Sequence, residues 1–124
     1  MITIGEAELE AFVQLTGDTA PVHTDEAHAA TLGYPGRIAH GLLIVSMYSK
    51  LLGLHVPGPN SVIFKLTAEM VKPVSVGDTL RYRVSVAGVN ESVRAVTLAL
   101  SASNQAGDIV NRGQAVCVFR GDFA

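Results

Sequence analysis

The sequence predicts an α+β fold in which one antiparallel sheet wraps around a central buried helix. Residues 42–52 are apolar on nearly every face of a helix, so protein must surround them. Segments with the features of β-strands, separated by short turns, fill the second half of the chain. Because short connections favour antiparallel pairing and the helix needs cover on every side, we expect the sheet to curl around it.

Four segments in the second half are predicted to be strands, and all of them follow a Pro-Gly-Pro break at residues 57–59. They cover residues 61–71, 79–87, 93–103 and 108–120. The segment 79–87 alternates apolar and polar side chains, as a strand with one dry face does. We expect strands joined by such short turns to form an antiparallel meander. A sheet of this kind curled around one helix is the hot dog fold. A ferredoxin-like sandwich would require a second amphipathic helix between the strands, and the pattern contains none.

The first half of the chain is richer in loops. A helix is expected over residues 5–15, ended by Gly17. Residues 18–25 show no periodicity and are expected to form a loop, followed by a short helical patch over residues 25–31. No repeat, low-complexity tract or charged linker divides the sequence, so residues 1–124 are expected to form a single domain.

The composition favours a protein that buries part of its surface in an oligomer. Hydrophobic residues make up 48% of the 124 residues and charged residues 16%, which leaves little polar surface to cover a lone monomer. The net charge is -2, and the basic residues form no run. A nucleic-acid partner is therefore not expected.

Cysteine content and apolar runs indicate the compartment. The single Cys117 excludes an internal disulfide framework and fits a reducing cytoplasm. Residues 1–10 contain no basic region before an apolar stretch, so a secretory signal is not expected. The longest apolar run, residues 41–45, is too short to span a bilayer. We expect a soluble cytoplasmic protein that does not enter a membrane.

Three short motifs carry a family resemblance. Residues 16–23, Thr-Gly-Asp-Thr-Ala-Pro-Val-His, look like the hydratase motif of the MaoC-like (R)-specific enoyl-thioester hydratases, whose usual form is Gly-Asp-x-Asn-Pro-x-His. Residues 39–41, Ala-His-Gly, and residues 72–78 resemble two further landmarks of that family. The motifs stand in the family's order, and the similarity extends from about Gly5 to Val118.

The resemblance implies an enzyme that interconverts trans-2-enoyl thioesters and (R)-3-hydroxyacyl thioesters, carried by coenzyme A or an acyl carrier protein. It implies that Asp18 and His23 are the catalytic pair and that no cofactor is needed. A carboxylate and an imidazole beside one water can divide the required proton transfers between them. We expect a non-helical loop stiffened by Pro21 to turn both side chains toward one point.

The resemblance also implies supporting roles for residues near the buried helix. Gly41 matches the family's oxyanion donor. An amide at a helix start suits this role, because it has no partner within the helix and a glycine leaves room for the substrate. Ser49 matches a serine that lies beside the family's active site. His40 is expected to fasten the entry of the helix.

One residue departs from the family pattern. Ala20 stands where the motif has Asn, so an amide that could hold the catalytic loop is missing. Two interpretations follow: a more weakly positioned site, or extra space for a bulkier or branched acyl group. The second is the expectation, because Asp18, Pro21, His23 and Gly41 all persist. The family also forms homodimers, so we expect two sheets joined edge to edge, with the two buried helices side by side and the active site at the subunit boundary.

Other functions remain as alternatives. His23, Asp25, His28 and His40 could suggest a metal site, but no pair has the i, i+4 spacing and no cysteine joins them, so no metal is expected. A hot dog thioester hydrolase would often carry an acid on the buried helix, and residues 42–52 contain neither Asp nor Glu. A non-catalytic acyl-thioester binding subunit is the third possibility, and Ala20 is its only support.

Overall fold

The computed structural model describes residues 1–120, and it contains five helices and five strands within that range. The helices are α1 (Glu6–Thr16), α2 (Pro21–Thr24), α3 (Glu26–Thr31), α4 (Gly41–Ser46) and α5 (Tyr48–Leu54). The strands are β1 (Ile2–Thr3), β2 (Ser61–Met70), β3 (Thr79–Asn90), β4 (Ala95–Ser103) and β5 (Ile109–Phe119). The predicted α+β class is confirmed. The last four residues of the predicted single domain, 121–124, lie outside the described residues.

The strands form one antiparallel sheet in the order β1-β3-β4-β5-β2. The predicted meander is correct for β3, β4 and β5 but wrong for β2. This strand pairs with β5 at the far edge instead of with β3, its successor in the chain. The connection between β2 and β3 is long enough to cross the sheet, and it passes beside the start of α4, where Ala39 N donates to Val74 O at 2.7 Å.

The predicted central helix exists, although it is longer than expected and is interrupted. It runs from Gly41 to Leu54 in two segments, α4 and α5, which meet at Met47. One side packs on the concave face of the sheet and supplies Leu43, Ile44 and Tyr48 to the core. The opposite side is open in the single chain, where Leu42 is 68% exposed. The single chain therefore does not enclose this helix on every side.

The N-terminal region differs from the prediction in one place that matters for the site. Gly17 ends α1 as expected, in a left-handed conformation with φ 74°, which favours glycine. Residues 21–24, predicted as loop, instead form the short helix α2. Pro21 stands at its first position, where a fixed φ and a missing amide hydrogen favour helix initiation.

Strand β2 forms an exposed, largely apolar edge of the sheet. It pairs with β5 on one side only, and the alternation of buried and exposed residues seen in β4 is absent. Large apolar side chains are open to solvent along it, with Phe64 at 75% and Val62 at 52% exposure. An unpaired edge of ten residues with this composition favours pairing with another strand. Among the described residues, no helix is long and apolar enough to cross a membrane.

Candidate active site

Asp18 follows α1 and is held by its own loop. Its backbone N–H donates to Thr16 Oγ1 at 3.1 Å, and its carboxylate Oδ1 accepts from Ala20 N at 3.1 Å. The second contact closes a local turn, which brings the chain round into α2. The side chain is exposed in the single chain. Among the described residues, its other carboxylate oxygen has no hydrogen-bond partner.

His23 lies on α2, so the expectation of a wholly non-helical catalytic loop is wrong. Its Nδ1 lies 2.7 Å from the backbone carbonyl of Ile38. A carbonyl oxygen can only accept, so Nδ1 carries the proton and Nε2 of the neutral ring has a free lone pair. The bond fixes both the tautomer and the ring orientation, as a general base requires.

The segment that carries the Ile38 carbonyl is itself anchored. The guanidinium of Arg37 pairs with Glu6 on α1 and with Glu26 on α3, the latter at 3.1 Å. These hydrogen bonds, to Glu26 above all, raise the pKa of Arg37 above its ordinary value. Ile38 N also donates to Val22 O at 3.2 Å, so one backbone–backbone bond and the bond from the His23 ring join this segment to α2. The orientation of His23 thus depends on a fixed scaffold.

His40 lies directly against both members of the pair. The imidazoles of His23 and His40 stack with centroids 4.0 Å apart and an interplanar angle of 29°. His40 Nε2–H donates to the backbone carbonyl of Asp18 at 3.0 Å, and the residue is only 2% exposed. Its buried Nδ1 has no hydrogen-bond partner in the described chain. The residue expected to fasten the helix entry also contacts the Asp18 loop and the His23 ring.

Asp18, His23 and His40 form one cluster, in which one oxygen or nitrogen atom of each lies within 4.8 Å of the others. A separation of this size allows one water to contact the Asp18 carboxylate and the His23 ring together. The same trio could suggest a metal site. However, ring lone pairs lie in the ring planes, and two stacked planes do not converge on one ion. We therefore keep the prediction that no metal takes part.

A pocket of about 280 Å³ lies beside this cluster. Gly41 at the start of α4 and His23 both reach it, whereas Asp18, Ala20 and Ser49 are not among its lining residues. Its other walls are mostly apolar: Tyr34, Ile38, Ala39, Ile44, Met70, Val71, Lys72, Pro73, Val74, Val110 and Asn111. Ser49 is exposed on the open side of the helix, so the structure does not bring it to this pocket within one chain.

Two polar residues of this pocket region were not predicted from the sequence. Asn111 and Tyr48 are 1% and 0% exposed, and the Tyr48 hydroxyl donates to Asn111 Oδ1 at 3.0 Å. Burial raises the pKa of Tyr48 to about 12, so the hydroxyl stays protonated. The available signal was an Asn in line with Gly113, Ala115 and Cys117 on the inward side of β5, since a buried amide needs a partner.

Ala20 is the N-cap of α2, and no side chain caps that helix. An Asn at this position could accept from the first free amides of α2, which is the usual role of Asn at an N-cap. Because Ala20 does not line the pocket, the structure favours the missing hydrogen bond over the space-making interpretation. The departure from the family motif thus concerns the helix that carries His23.

We expect Ala20→Asn to raise the rate of crotonyl-thioester hydration by about two- to twelvefold, the equivalent of one neutral hydrogen bond. Capping α2 should also raise the melting temperature. Ala30→Asn, the same change at an exposed position of α3, is the matched control and should leave the rate unchanged. Unchanged crotonyl turnover, together with lost turnover of a branched substrate, would instead support the space-making interpretation.

Known proteins resemble this chain over most of its length. Residues 1–106 match the family model described as a MaoC like domain. The (R)-specific enoyl-CoA hydratase of Aeromonas caviae is 37% identical over 112 residues, 90% of this chain and 84% of the relative. The (R)-specific enoyl-CoA hydratase of Rhodospirillum rubrum is 34% identical over 113 residues, 91% of this chain and 78% of the relative.

Solved structures show the same architecture. The (R)-hydratase from A. caviae involved in PHA biosynthesis superposes with a TM-score of 0.90 at 34% identity, covering 96% of this chain and 90% of its own. An unliganded R-hydratase from Pseudomonas aeruginosa gives 0.88 at 33% identity, over 98% of this chain and 77% of its own. The hot dog fold predicted from the sequence pattern is confirmed, and the chain belongs to the MaoC-like domain family.

Proposed function

We propose that this chain hydrates trans-2-enoyl thioesters to (R)-3-hydroxyacyl thioesters and catalyses the reverse dehydration. The observation that carries this proposal is the Asp18 carboxylate within 4.8 Å of a ring nitrogen of His23, a distance that one water can bridge, in a ring held at Nδ1 by the Ile38 carbonyl. Relatives about 35% identical over most of the chain are enoyl-CoA hydratases and a 3-hydroxybutyryl-CoA dehydratase, which supports the same reaction.

The pair can complete the reaction without a net change in its own protonation. Hydration forms a bond from the water oxygen to C3 of the enoyl group and a bond from a proton to C2. The water loses one proton to the Asp18–His23 pair, and the pair returns one proton to C2. The fixed tautomer of His23 keeps Nε2 available for this exchange.

Gly41 supplies the second requirement of the reaction. Negative charge develops on the thioester oxygen as the water attacks, and a donor directed at that oxygen stabilises the transition state. The N–H of Gly41, at the first position of α4, has no acceptor within the helix. Gly41 lines the same pocket as His23, so one bound thioester can contact both residues.

The carrier is coenzyme A in this proposal. The two most similar curated relatives described above are named for enoyl-CoA, whereas the 3-hydroxyacyl-[acyl-carrier-protein] dehydratase of Arabidopsis thaliana is 27% identical over 85 residues. An acyl carrier protein is the second choice for the same chemistry. Neither choice changes the roles of Asp18, His23 and Gly41.

Thioester hydrolysis and non-catalytic binding are less well supported. The helical segments α4 and α5 carry no Asp or Glu from which a hydrolase of this fold could work. A binding subunit that has lost catalysis would not be expected to keep an oriented imidazole beside a carboxylate. Ala20 alone favours loss of catalysis, and its place at an N-cap points to positioning instead.

Incubation with crotonyl-coenzyme A separates the three functions in one experiment. We expect the enone absorbance to fall without release of free thiol, which is the signature of hydration. Thiol release would support hydrolysis instead, and binding without either change would support a non-catalytic subunit. His23→Gln is the control, because this variant retains the pocket and loses the imidazole.

We also propose that the protein is a homodimer joined along β2. The exposed apolar edge of β2 and the open side of α4 both need cover, and Met70 and Val71 at the end of that edge line the substrate pocket. A partner at this edge would therefore complete the pocket wall and shield Asp18. Sedimentation equilibrium should give twice the chain mass at micromolar concentration, and a single-chain mass would refute the dimer.

A further inference from the structure

Met70 occupies the part of the pocket next to Gly41. Built onto Gly41, a Cβ would lie 3.2 Å from Met70 Cε and 3.4 Å from Met70 Sδ, so the thioether packs beside the Cα of this residue. Met70 and Asn111 are cross-strand partners in β2 and β5, and both side chains reach the inner face of the sheet. Asn111 Nδ2 donates to Met70 Sδ at 3.0 Å.

The orientation of the Asn111 amide is fixed from the core side. Its Oδ1 accepts from the hydroxyl of Tyr48, and a thioether sulfur carries no hydrogen to donate. The amide nitrogen must therefore point toward the pocket and the oxygen toward Tyr48. The Tyr48 ring is itself held in place, because it packs edge to face on Tyr82 with ring centroids 4.9 Å apart.

The buried N–H of Asn111 has a poor partner in Met70 Sδ. A thioether is a weak acceptor, whereas a thioester carbonyl oxygen is a good one and becomes better as negative charge develops on it. An interaction that strengthens in this way lowers the barrier and does not merely hold the substrate. Methionine is flexible and unbranched, and this one is 51% exposed, so its side chain can withdraw.

We propose that Asn111 Nδ2 is a second donor to the thioester oxygen, acting with the N–H of Gly41, and that Met70 Sδ accepts from this donor until substrate binds. The inference rests on the proposed function, because it assumes that a thioester lies in this pocket. It assigns a substrate-binding role to a side chain outside the three family motifs. Tyr48 is then a positioning residue, which acts through Asn111.

The test compares three variants that separate the donor from its support. Asn111→Leu removes the donor at similar volume, and Tyr48→Phe removes only the bond that orients it. The double variant Tyr48→Phe/Asn111→Leu removes both buried polar partners, so that no unpaired group remains in the core. We expect kcat/KM with crotonyl-coenzyme A to fall about 10²- to 10³-fold for Asn111→Leu and for the double variant. Tyr48→Phe should lose no more than about tenfold.

A purely structural role of Asn111 gives the opposite pattern. The double variant would then recover both the melting temperature and the activity that Asn111→Leu loses, because the orphaned hydroxyl is gone. Recovery of activity, or an Asn111→Leu protein within about threefold of the parent, would overturn the inference.

An infrared measurement tests the contact without turnover. The carbonyl stretch of bound butyryl-coenzyme A, which lacks the reactive double bond, should be lowered in the parent and in Tyr48→Phe. In Asn111→Leu the carbonyl frequency should return part of the way toward that of butyryl-coenzyme A in solution. A frequency equal to that of the parent at saturation would refute the role of Asn111 as a donor. Failure of crotonyl hydration by the parent would count against the proposed function, whereas the butyryl frequency still reports on Asn111.

Discussion

Asp18→Asn and His23→Gln are each expected to lower the hydration rate about a thousandfold, because single acid-base groups contribute roughly 10² to 10⁴. Asn keeps an oxygen that can accept from Ala20 N, so the turn that leads into α2 should persist. Gln keeps a polar side chain at position 23 but has no group that exchanges protons at neutral pH. Steady-state kinetics with crotonyl-coenzyme A measure the loss, and circular dichroism checks the fold.

His28→Gln is the matched control for His23→Gln. His28 is exposed on α3, the helix that follows α2, and it lies outside the cluster of Asp18, His23 and His40. Its replacement should leave the rate within experimental error. If either Asp18→Asn or His23→Gln had parental activity with an unchanged dichroism spectrum, that residue would have no part in the mechanism.

Phe64→Glu is expected to dissociate the dimer. Phe64 is 75% exposed on the free edge of β2, where the proposed partner strand would pair. Burial of an uncompensated carboxylate costs several kcal/mol, so the dissociation constant should rise at least about a hundredfold. Sedimentation velocity over a concentration series measures this constant, and activity should fall in parallel because the proposed partner would complete the pocket.

Val89→Glu provides the comparison for that variant. Val89 is 57% exposed but lies near the end of β3, where it pairs with Val96 of β4, away from the β2 edge. The same added charge there should leave the dimer intact. Equal dissociation constants for Phe64→Glu and the parent would exclude the β2 edge as the interface.

The sequence predicted the local parts of the fold well and the distant pairing poorly. Gly17 ends α1 and the alternating residues of β3 form a strand, because both depend on neighbours along the chain. The pairing of β2 with β5 joins residues far apart in sequence, and turn length alone does not decide it. Pro21 is compatible with a stiff loop and with a helix start, and its fixed φ begins α2 in the structure.

The candidate site shows the same division. Asp18, His23 and Gly41 stand in short motifs, so the sequence alone makes them candidates. The contact of His40 with both the Asp18 carbonyl and the His23 ring depends on how α1, α2 and α4 pack, which no local pattern specifies. Asn111 and Tyr48 are 63 residues apart and belong to no motif, so only their burial and the hydrogen bond between them indicate a role.

The stereochemical outcome of crotonyl-coenzyme A hydration tests the central claim most directly, because it follows the reaction itself with the unmodified protein. The product is separated from substrate, hydrolysed and resolved on a chiral column. We expect 3-hydroxybutyryl-coenzyme A of the (R) configuration, formed without free thiol and about a thousandfold more slowly by His23→Gln. Release of coenzyme A without a hydroxyacyl product, or formation of the (S) product, would contradict it.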